Sequence, residues 1–338
     1  MNIWHASSIR PYTKFFVRMK FIRSFFPVLL MLVLLTACKP TPKSGYVAVP
    51  TVTKNALSGV YTLSPTHPTT KLYYEELGQG EPVILLHAHS VDCRMWDDVF
   101  YKLAKKYRVI RYDLRGYGKS GMPEVGFGFL QADDLCNFMD GLGVKKAHLA
   151  GLSLGGMTLA DFVALYPERV LTATITSGAI SAFPDRSSAP KQLLKIYNDT
   201  IFTLKRQEVD KNRRRGVDTL KMEWKRAMKS VSGKHYRSIK KKLNRMIDDW
   251  QAWQWTHPET DAFIGAQADS LLSKQKSHPP VLFLIGQYDS KGSKRSMQKM
   301  AALCKESRIE MIQDAGHFTA MEAPDEFVKR MERFIDEH

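Results

Sequence analysis

The sequence predicts an α/β fold: a mostly parallel sheet with helices on both faces and a helical segment inserted late in the chain. Short apolar runs suited to strands buried on both faces recur along the chain, each followed by a glycine or polar turn and then by helical periodicity. Strands that alternate with helices pair in parallel, and their right-handed crossovers put helices on both faces. One long stretch, residues 183–278, breaks this rhythm with helical periodicity, basic charge and no buried-strand run. At 338 residues, 44% hydrophobic and 25% charged, the composition is that of a globular protein and excludes disordered and fibrous classes.

The first element is an apolar run, Phe25 to Leu35, broken by Pro27 and preceded by Arg18, Lys20 and Arg23, the arrangement of a secretory signal. It has about half of the roughly 20 residues a bilayer span needs, so a permanent membrane helix is the weaker reading. The run closes in Leu35-Thr36-Ala37-Cys38, which resembles the lipobox of bacterial lipoproteins. That resemblance implies a signal peptide over 1–37, acylation of Cys38 and a place in the bacterial cell envelope. Lys rather than Asp at position 39 favours the outer membrane over the inner. An ordinary secretory signal followed by a chance cysteine is the alternative. Met19 stands where such a signal would begin, which makes residues 1–18 an overlong start. Residues 38–58, rich in Pro, Thr, Lys and Ser, read as a tether between lipid and fold.

The folded core is expected over 59–182 and 279–338. Val60 to Leu63 and Leu72 to Tyr74, closed by Gly78-Gln79-Gly80, suit an antiparallel hairpin. Strands follow at Val83–Leu86, Val109–Tyr112, His148–Ala150, Ala173–Thr176, Val281–Ile285 and Ile309–Ile312. Helices fit between them near Asp97–Lys106, Gln131–Leu142, Leu154–Tyr166, Ser293–Cys304 and Pro324–Glu337. Residues 183–278 then form a helical lid over the carboxyl edge of the sheet. Its Trp250, Trp253 and Trp255 either line a pocket or pack the lid on the core.

A net charge of +16 suggests nucleic acid until its location is considered. Five of the 50 basic residues lie in 1–37, which has no acid, and between Arg186 and Arg245 there are 19 Lys or Arg against five acids. The excess belongs to the lid. Arg213-Arg214-Arg215 and Lys240-Lys241-Lys242 suit either an anionic surface or a solvated helical face, and no nucleic-acid motif is present. Cys93, Cys136 and Cys304 have neither paired nor metal-like spacing and read as buried free thiols, so no metal or cofactor is expected.

Gly151-Leu152-Ser153-Leu154-Gly155-Gly156 matches the G-x-S-x-G turn that follows a strand and opens a helix. By chance a chain this long carries the motif about one time in ten, so its strand–turn–helix context gives it weight. A serine hydroxyl needs a base in reach, and the base needs a carboxylate to hold its tautomer. Asp289 follows the strand 281–285, and His317 follows 309–312. A turn aspartate is the alternative for Asp289, although no acid stands directly after Ala173–Thr176 and Asp185 lies too far along.

Six motifs in order resemble the α/β-hydrolase superfamily, in the branch of enol-lactonases, arylesterases and cofactor-free haloperoxidases. They are Leu85-Leu86-His87, Asp113-Leu114-Arg115-Gly116-Tyr117-Gly118-Lys119-Ser120, the Ser153 turn, Tyr166-Pro167-Glu168-Arg169-Val170, Gly286 to Asp289, and Ala315-Gly316-His317. The likeness covers roughly residues 70–338 and is weakest in the lid. It implies an α/β-hydrolase fold, Ser153 as nucleophile, His317 as base, Asp289 as orienting acid, and an ester, lactone or related acyl substrate turned over through an acyl-enzyme. It further implies an oxyanion hole made by the backbone N–H groups of Leu154 and His89. Where the family reads His-Gly-x this chain has His87-Ala88-His89, and alanine lacks the backbone freedom of glycine. A non-catalytic binding protein on the same scaffold is the alternative.

Overall fold

Eight strands form one sheet in the computed structural model, which describes residues 40–54, 61–63, 67–124, 129–179, 206–257, 261–262 and 266–338. In chain order the strands are β1 (Lys43–Pro50), β2 (Val52–Lys54), β3 (Tyr61–Leu63), β4 (Thr69–Leu77), β5 (Pro82–Leu86), β6 (Arg108–Tyr112), β7 (Phe129–Leu130), β8 (Ala147–Leu152), β9 (Val170–Thr176), β10 (Asp261–Ala262), β11 (Val281–Gly286) and β12 (Ser307–Ile312). The helices are α1 (Asp97–Leu103), α2 (Gln131–Gly141), α3 (Leu154–Leu165), α4 (Val217–Ser230), α5 (Tyr236–Asp249), α6 (Trp253–Thr256), α7 (Ala266–Lys274), α8 (Lys291–Leu303), α9 (Thr319–Glu322) and α10 (Pro324–Asp336). Residues 206–215 are also helical.

The main sheet has the order β1-β4-β6-β5-β8-β9-β11-β12. β4 runs against both neighbours, and the other strand pairs are parallel. Alternate residues of a strand face opposite sides. Ile84 and Leu86 accordingly join one core with Ile110, Leu149, Ile175 and Phe283, against Phe138 of α2 and Phe162 of α3. Val83 and Leu85 join the other with Val109, Ala150 and Leu282, against Phe100 of α1 and Phe327 of α10. Both faces are covered, which is why these strands read as unbroken apolar runs. From β5 the chain steps to β6 on one side and later returns to β8 on the other. That switch opens a crevice at the carboxyl ends of β5 and β8.

Three expectations need correction. The tether expected over 38–58 contains β1, an edge strand paired with β4 along its whole length. Val47 and Val49 alternate with exposed residues and bury one side, a signal that the flanking prolines and polar residues masked. The expected hairpin does not form, because β4 pairs with β1 and β3 with β2. The lid is neither wholly helical nor as long as 183–278. β10 pairs in parallel with β7, and Ala268 and Leu272 of α7 enter the core beside α3, where Gln275 caps the Val163 and Ala164 carbonyls. Residues 1–39, and with them the signal segment and Cys38, lie outside the described residues, as does 180–205 of the lid. No helix among the described residues is long and apolar enough to cross a membrane.

The Asp113–Ser120 segment is a structural knot rather than a reacting group. Asp113 accepts the Cys93 and Lys119 N–H groups at 2.8 Å each, and a Cβ on Gly118 (φ +53°) would fall 2.1 Å from its Oδ2. Arg115 forks onto Asp134 at 2.8 and 2.5 Å with both side chains buried. Burial raises the Asp134 carboxyl to about 6, with Arg115 opposing the shift. Arg115→Leu strands that carboxylate and should cost about 3–5 kcal/mol in denaturant unfolding at neutral pH. The deficit should shrink as pH falls, because a buried acid whose folded pKa is raised gains stability on protonation. A deficit constant from pH 8 to 5 would contradict this.

Candidate active site

Ser153 links β8 to α3 with φ 56° and ψ −108°, a backbone that residues with a Cβ rarely adopt. The turn closes only because its neighbours lack side chains. A Cβ on Gly155 would lie 2.3 Å from the Leu86 carbonyl, and one on Gly156 would lie 2.2 Å from that of Gly178. The Ser153 N–H donates to the Thr176 carbonyl at 2.9 Å, which fixes the turn to the end of β9.

Asp289 follows β11 and His317 follows β12, so parallel strands bring their two loops side by side. His317 Nδ1 lies 2.8 Å from Asp289 Oδ1. The carboxylate also accepts the Ser290 N–H at 2.7 Å and the Ser293 hydroxyl at 2.8 Å. Burial pushes the Asp289 carboxyl up, but His317 and these two donors outweigh it and hold it below the ordinary carboxylate range. A charged acceptor there keeps the imidazole proton on Nδ1 and leaves the Nε2 lone pair able to accept one. The Ser177 hydroxyl donates to the His317 carbonyl at 2.5 Å. The end of β9 thus holds Ser153 through Thr176 and His317 through Ser177.

Leu154 is the first residue of α3, where an N–H has no acceptor inside the helix. The loop after β5 is docked beside it by the Gly155 N–H, which donates to the His87 carbonyl at 3.1 Å. His87 is buried and structural: Nε2 accepts the Leu114 N–H at 2.9 Å and Nδ1 lies 2.7 Å from the Ala88 carbonyl. Burial lowers its pKa, so it stays a neutral bridge. Ala88 has no left-handed backbone, so this loop does not need the family's glycine; the left-handed residue is Ser90, at φ 62°. His89 carries a ring bonded to the Tyr117 hydroxyl at 2.7 Å.

Sequence reasoning missed three supporting residues. Ser293 orients Asp289. Glu322 accepts the Gly316 N–H at 3.2 Å and the Gly233 N–H at 2.6 Å, tying the His317 loop to the lid. Trp224 meets His89 together with Trp250 and Trp255, whereas Trp253 stacks on His257 instead. None has a local motif that would separate it from an ordinary helical serine, acid or tryptophan.

A cleft of about 380 Å³ is lined by Asp92, Cys93, Asp113 and Trp250 but not by Ser153 or His317. Asp92, Cys93 and Asp113 are the group of metal-type donors that approach one another among the described residues. Their donor atoms are already occupied or inert: Arg94 forks onto Asp92, two N–H groups fill Asp113, and burial pushes the Cys93 thiol well up.

Residues 81–324 match the family described as alpha/beta hydrolase fold. The uncharacterized carboxylesterase nap of Bacillus subtilis is 27% identical over 259 residues, covering 75% of this chain and 79% of the relative. The pimeloyl-(acyl-carrier protein) methyl ester esterase of Aliivibrio fischeri is 26% identical over 275 residues, 80% of this chain and 99% of the relative. Among solved structures, a thermophilic esterase from Thermogutta terrifontis superposes with a TM-score of 0.65 at 24% identity, over 87% of this chain and 98% of that one.

Proposed function

The chain belongs to the α/β-hydrolase fold family, and on that premise we propose that it is a serine hydrolase of carboxylic esters or lactones with Ser153, His317 and Asp289 as its triad. The Ser153 hydroxyl attacks the acyl carbon while His317 Nε2 takes its proton. The tetrahedral oxyanion is met by the Leu154 and His89 N–H groups. Its collapse releases the alcohol, which takes the proton back from the imidazolium. Water, deprotonated by His317, then attacks the acyl-enzyme, and the acid leaves as Ser153 regains its proton. The observation that carries this reading is the Asp289–His317 bond, together with the anchoring of the strained Ser153 by Thr176 and of His317 by the adjacent Ser177. Relatives named as ester hydrolases support the substrate class.

The test is to mix the full chain with an activated acyl ester, quench in acid and map the adduct by mass spectrometry. An acyl mass on the Ser153 peptide is expected. No adduct on folded protein would leave the non-catalytic binding scaffold instead.

We also propose that the protein works at an anionic membrane, tethered by acylated Cys38. α5 buries Ile239, Leu243, Met246 and Ile247 and turns Arg237, Lys240, Lys241 and Arg245 outward around an open groove of about 520 Å³. Each such cation near an anionic surface contributes about 1 kcal/mol, screened by salt. Binding of the unacylated Cys38→Ser chain to vesicles containing phosphatidylglycerol should therefore fall steeply between low and physiological salt. Changing the four residues to Glu should abolish it and leave ester turnover unchanged. Equal binding to neutral vesicles would contradict the proposal.

A further inference from the structure

The lid hairpin of α4 and α5 touches both loops of the site. On the base side, the His317 N–H donates to the Val231 carbonyl at 2.8 Å, and Glu322 bridges Gly233 and Gly316. On the oxyanion side, the Trp224 indole N–H donates to Ser90 Oγ at 2.5 Å, and that hydroxyl lies 2.6 Å from the His89 carbonyl, to which it donates. Ser90 is buried at φ 62°, a conformation that a residue with a Cβ leaves when nothing holds it.

The core fixes the first half of this loop, through the Gly155 N–H on the His87 carbonyl, the Ala88 N–H on Met95 Sδ, and His87 Nδ1 on the Ala88 carbonyl, which shares a peptide plane with the His89 N–H. The second half is fixed largely from the lid. The His89 ring meets the edges or faces of Trp224, Trp250 and Trp255 at centroid distances of 5.6, 4.7 and 6.2 Å, with Tyr117 on Nδ1 as its core partner. Burial, with His87 nearby, brings the His89 pKa down to about 4, so the ring sits uncharged within the aromatic wall. Residues 90 and 224 are far apart in sequence, and no part of the catalytic chemistry itself requires their contact.

We infer that Trp224 is a positioning residue: through Ser90 it holds the His89 carbonyl, on the lid side of the residue whose N–H the core orients from the Ala88 side, so that the oxyanion-hole loop is fixed on both flanks only when the lid is seated. The inference rests on the catalytic reading above. An N–H aimed at the developing oxyanion acts on the transition state, whereas loss of a pocket wall weakens binding of every bound form. The two roles therefore separate as a rate constant and a binding constant.

The test is phosphonylation of Ser153 by a fluorophosphonate in the full chain, whose P=O occupies the same hole, followed over inhibitor concentration. Trp224→Phe keeps a ring in place but removes the donor and part of the indole surface, whereas Ser90→Ala removes only the hydroxyl. The maximal labelling rate of Trp224→Phe should fall by about 10-fold or more with the half-saturating concentration little changed, since a complete donor is typically worth 10²–10³. Ser90→Ala should do the same, and the double variant should be no slower than the slower single one, because both break one relay. A folded Trp224→Phe protein labelled within two-fold of the parent rate would overturn the inference, as would single losses that multiply in the double variant. If Trp224→Phe does not fold, Ser90→Ala alone decides by the same criterion. A parent chain unlabelled at Ser153 would overturn the catalytic reading itself, which a labelled parent keeps intact whatever the variants do.

Discussion

Replacing Ser153 with Ala should lower the turnover of an acyl ester by about 10⁴–10⁶-fold, leaving the residual rate that an oxyanion hole and binding supply without a nucleophile. Nothing else should change much. The hydroxyl is not needed to hold the turn, which is set by the Ser153 N–H on the Thr176 carbonyl and by the bare glycines around it. Alanine bears the same backbone strain as serine at φ 56°. The thermal midpoint should therefore stay within about 2–4 °C, the shift that 1 kcal/mol produces in a domain of this size. A variant that retained turnover, or lost it only by unfolding, would argue against a nucleophilic Ser153.

Asp289→Asn should cost about 10³–10⁴-fold in kcat with the fold preserved. In the parent, the Ser290 N–H and Ser293 hydroxyl both donate to the side chain. His317 and the Ser290 N–H share Oδ1 in the parent, so an Asn that offers its NH₂ to His317 keeps its carbonyl for the Ser293 hydroxyl and turns a donor on the Ser290 N–H. The imidazole must then accept on Nδ1 and carry its proton on Nε2, where it cannot receive one from Ser153. The pH dependence has a definite sign. The Asp289 pKa is depressed in the folded state, so its contribution to stability is present above the ordinary value of 3.8 and is lost as pH falls through the folded value. The stability difference between parent and Asn variant should accordingly close in acid and stay constant from pH 5 to 8. Unfolding midpoints across that range check the second statement, and single-turnover kinetics check the first.

The proposed triad was legible in the sequence because the fold fixes its members to strand ends. Ser153, Asp289 and His317 each follow an apolar run by a short turn, and neighbouring parallel strands bring such turns together whatever lies between them in sequence. β1 was hidden because its alternation occupies only Tyr46 to Val49, between prolines, and its partner lies across a segment that gives no pairing signal. α7 read as lid because only Ala268 and Leu272 mark its buried side, too few to distinguish a core helix from a peripheral one. The contacts that support the site were illegible for a different reason. Trp224 reaches Ser90, and Glu322 reaches Gly233, over separations set by tertiary packing, and each is one residue of a common type. The alanine at position 88 was misleading, since the left-handed backbone of that loop falls two residues later, at Ser90.

The most direct measurement is reaction of the purified full chain with a fluorophosphonate, comparing the parent with His317→Ala and mapping the adduct by mass spectrometry. An activated nucleophile predicts one adduct, on the peptide carrying Ser153, formed rapidly in the parent and lost in the variant. Folded parent protein that forms no adduct, or forms it at another residue, or labels equally without His317, would contradict a serine hydrolase built on Ser153.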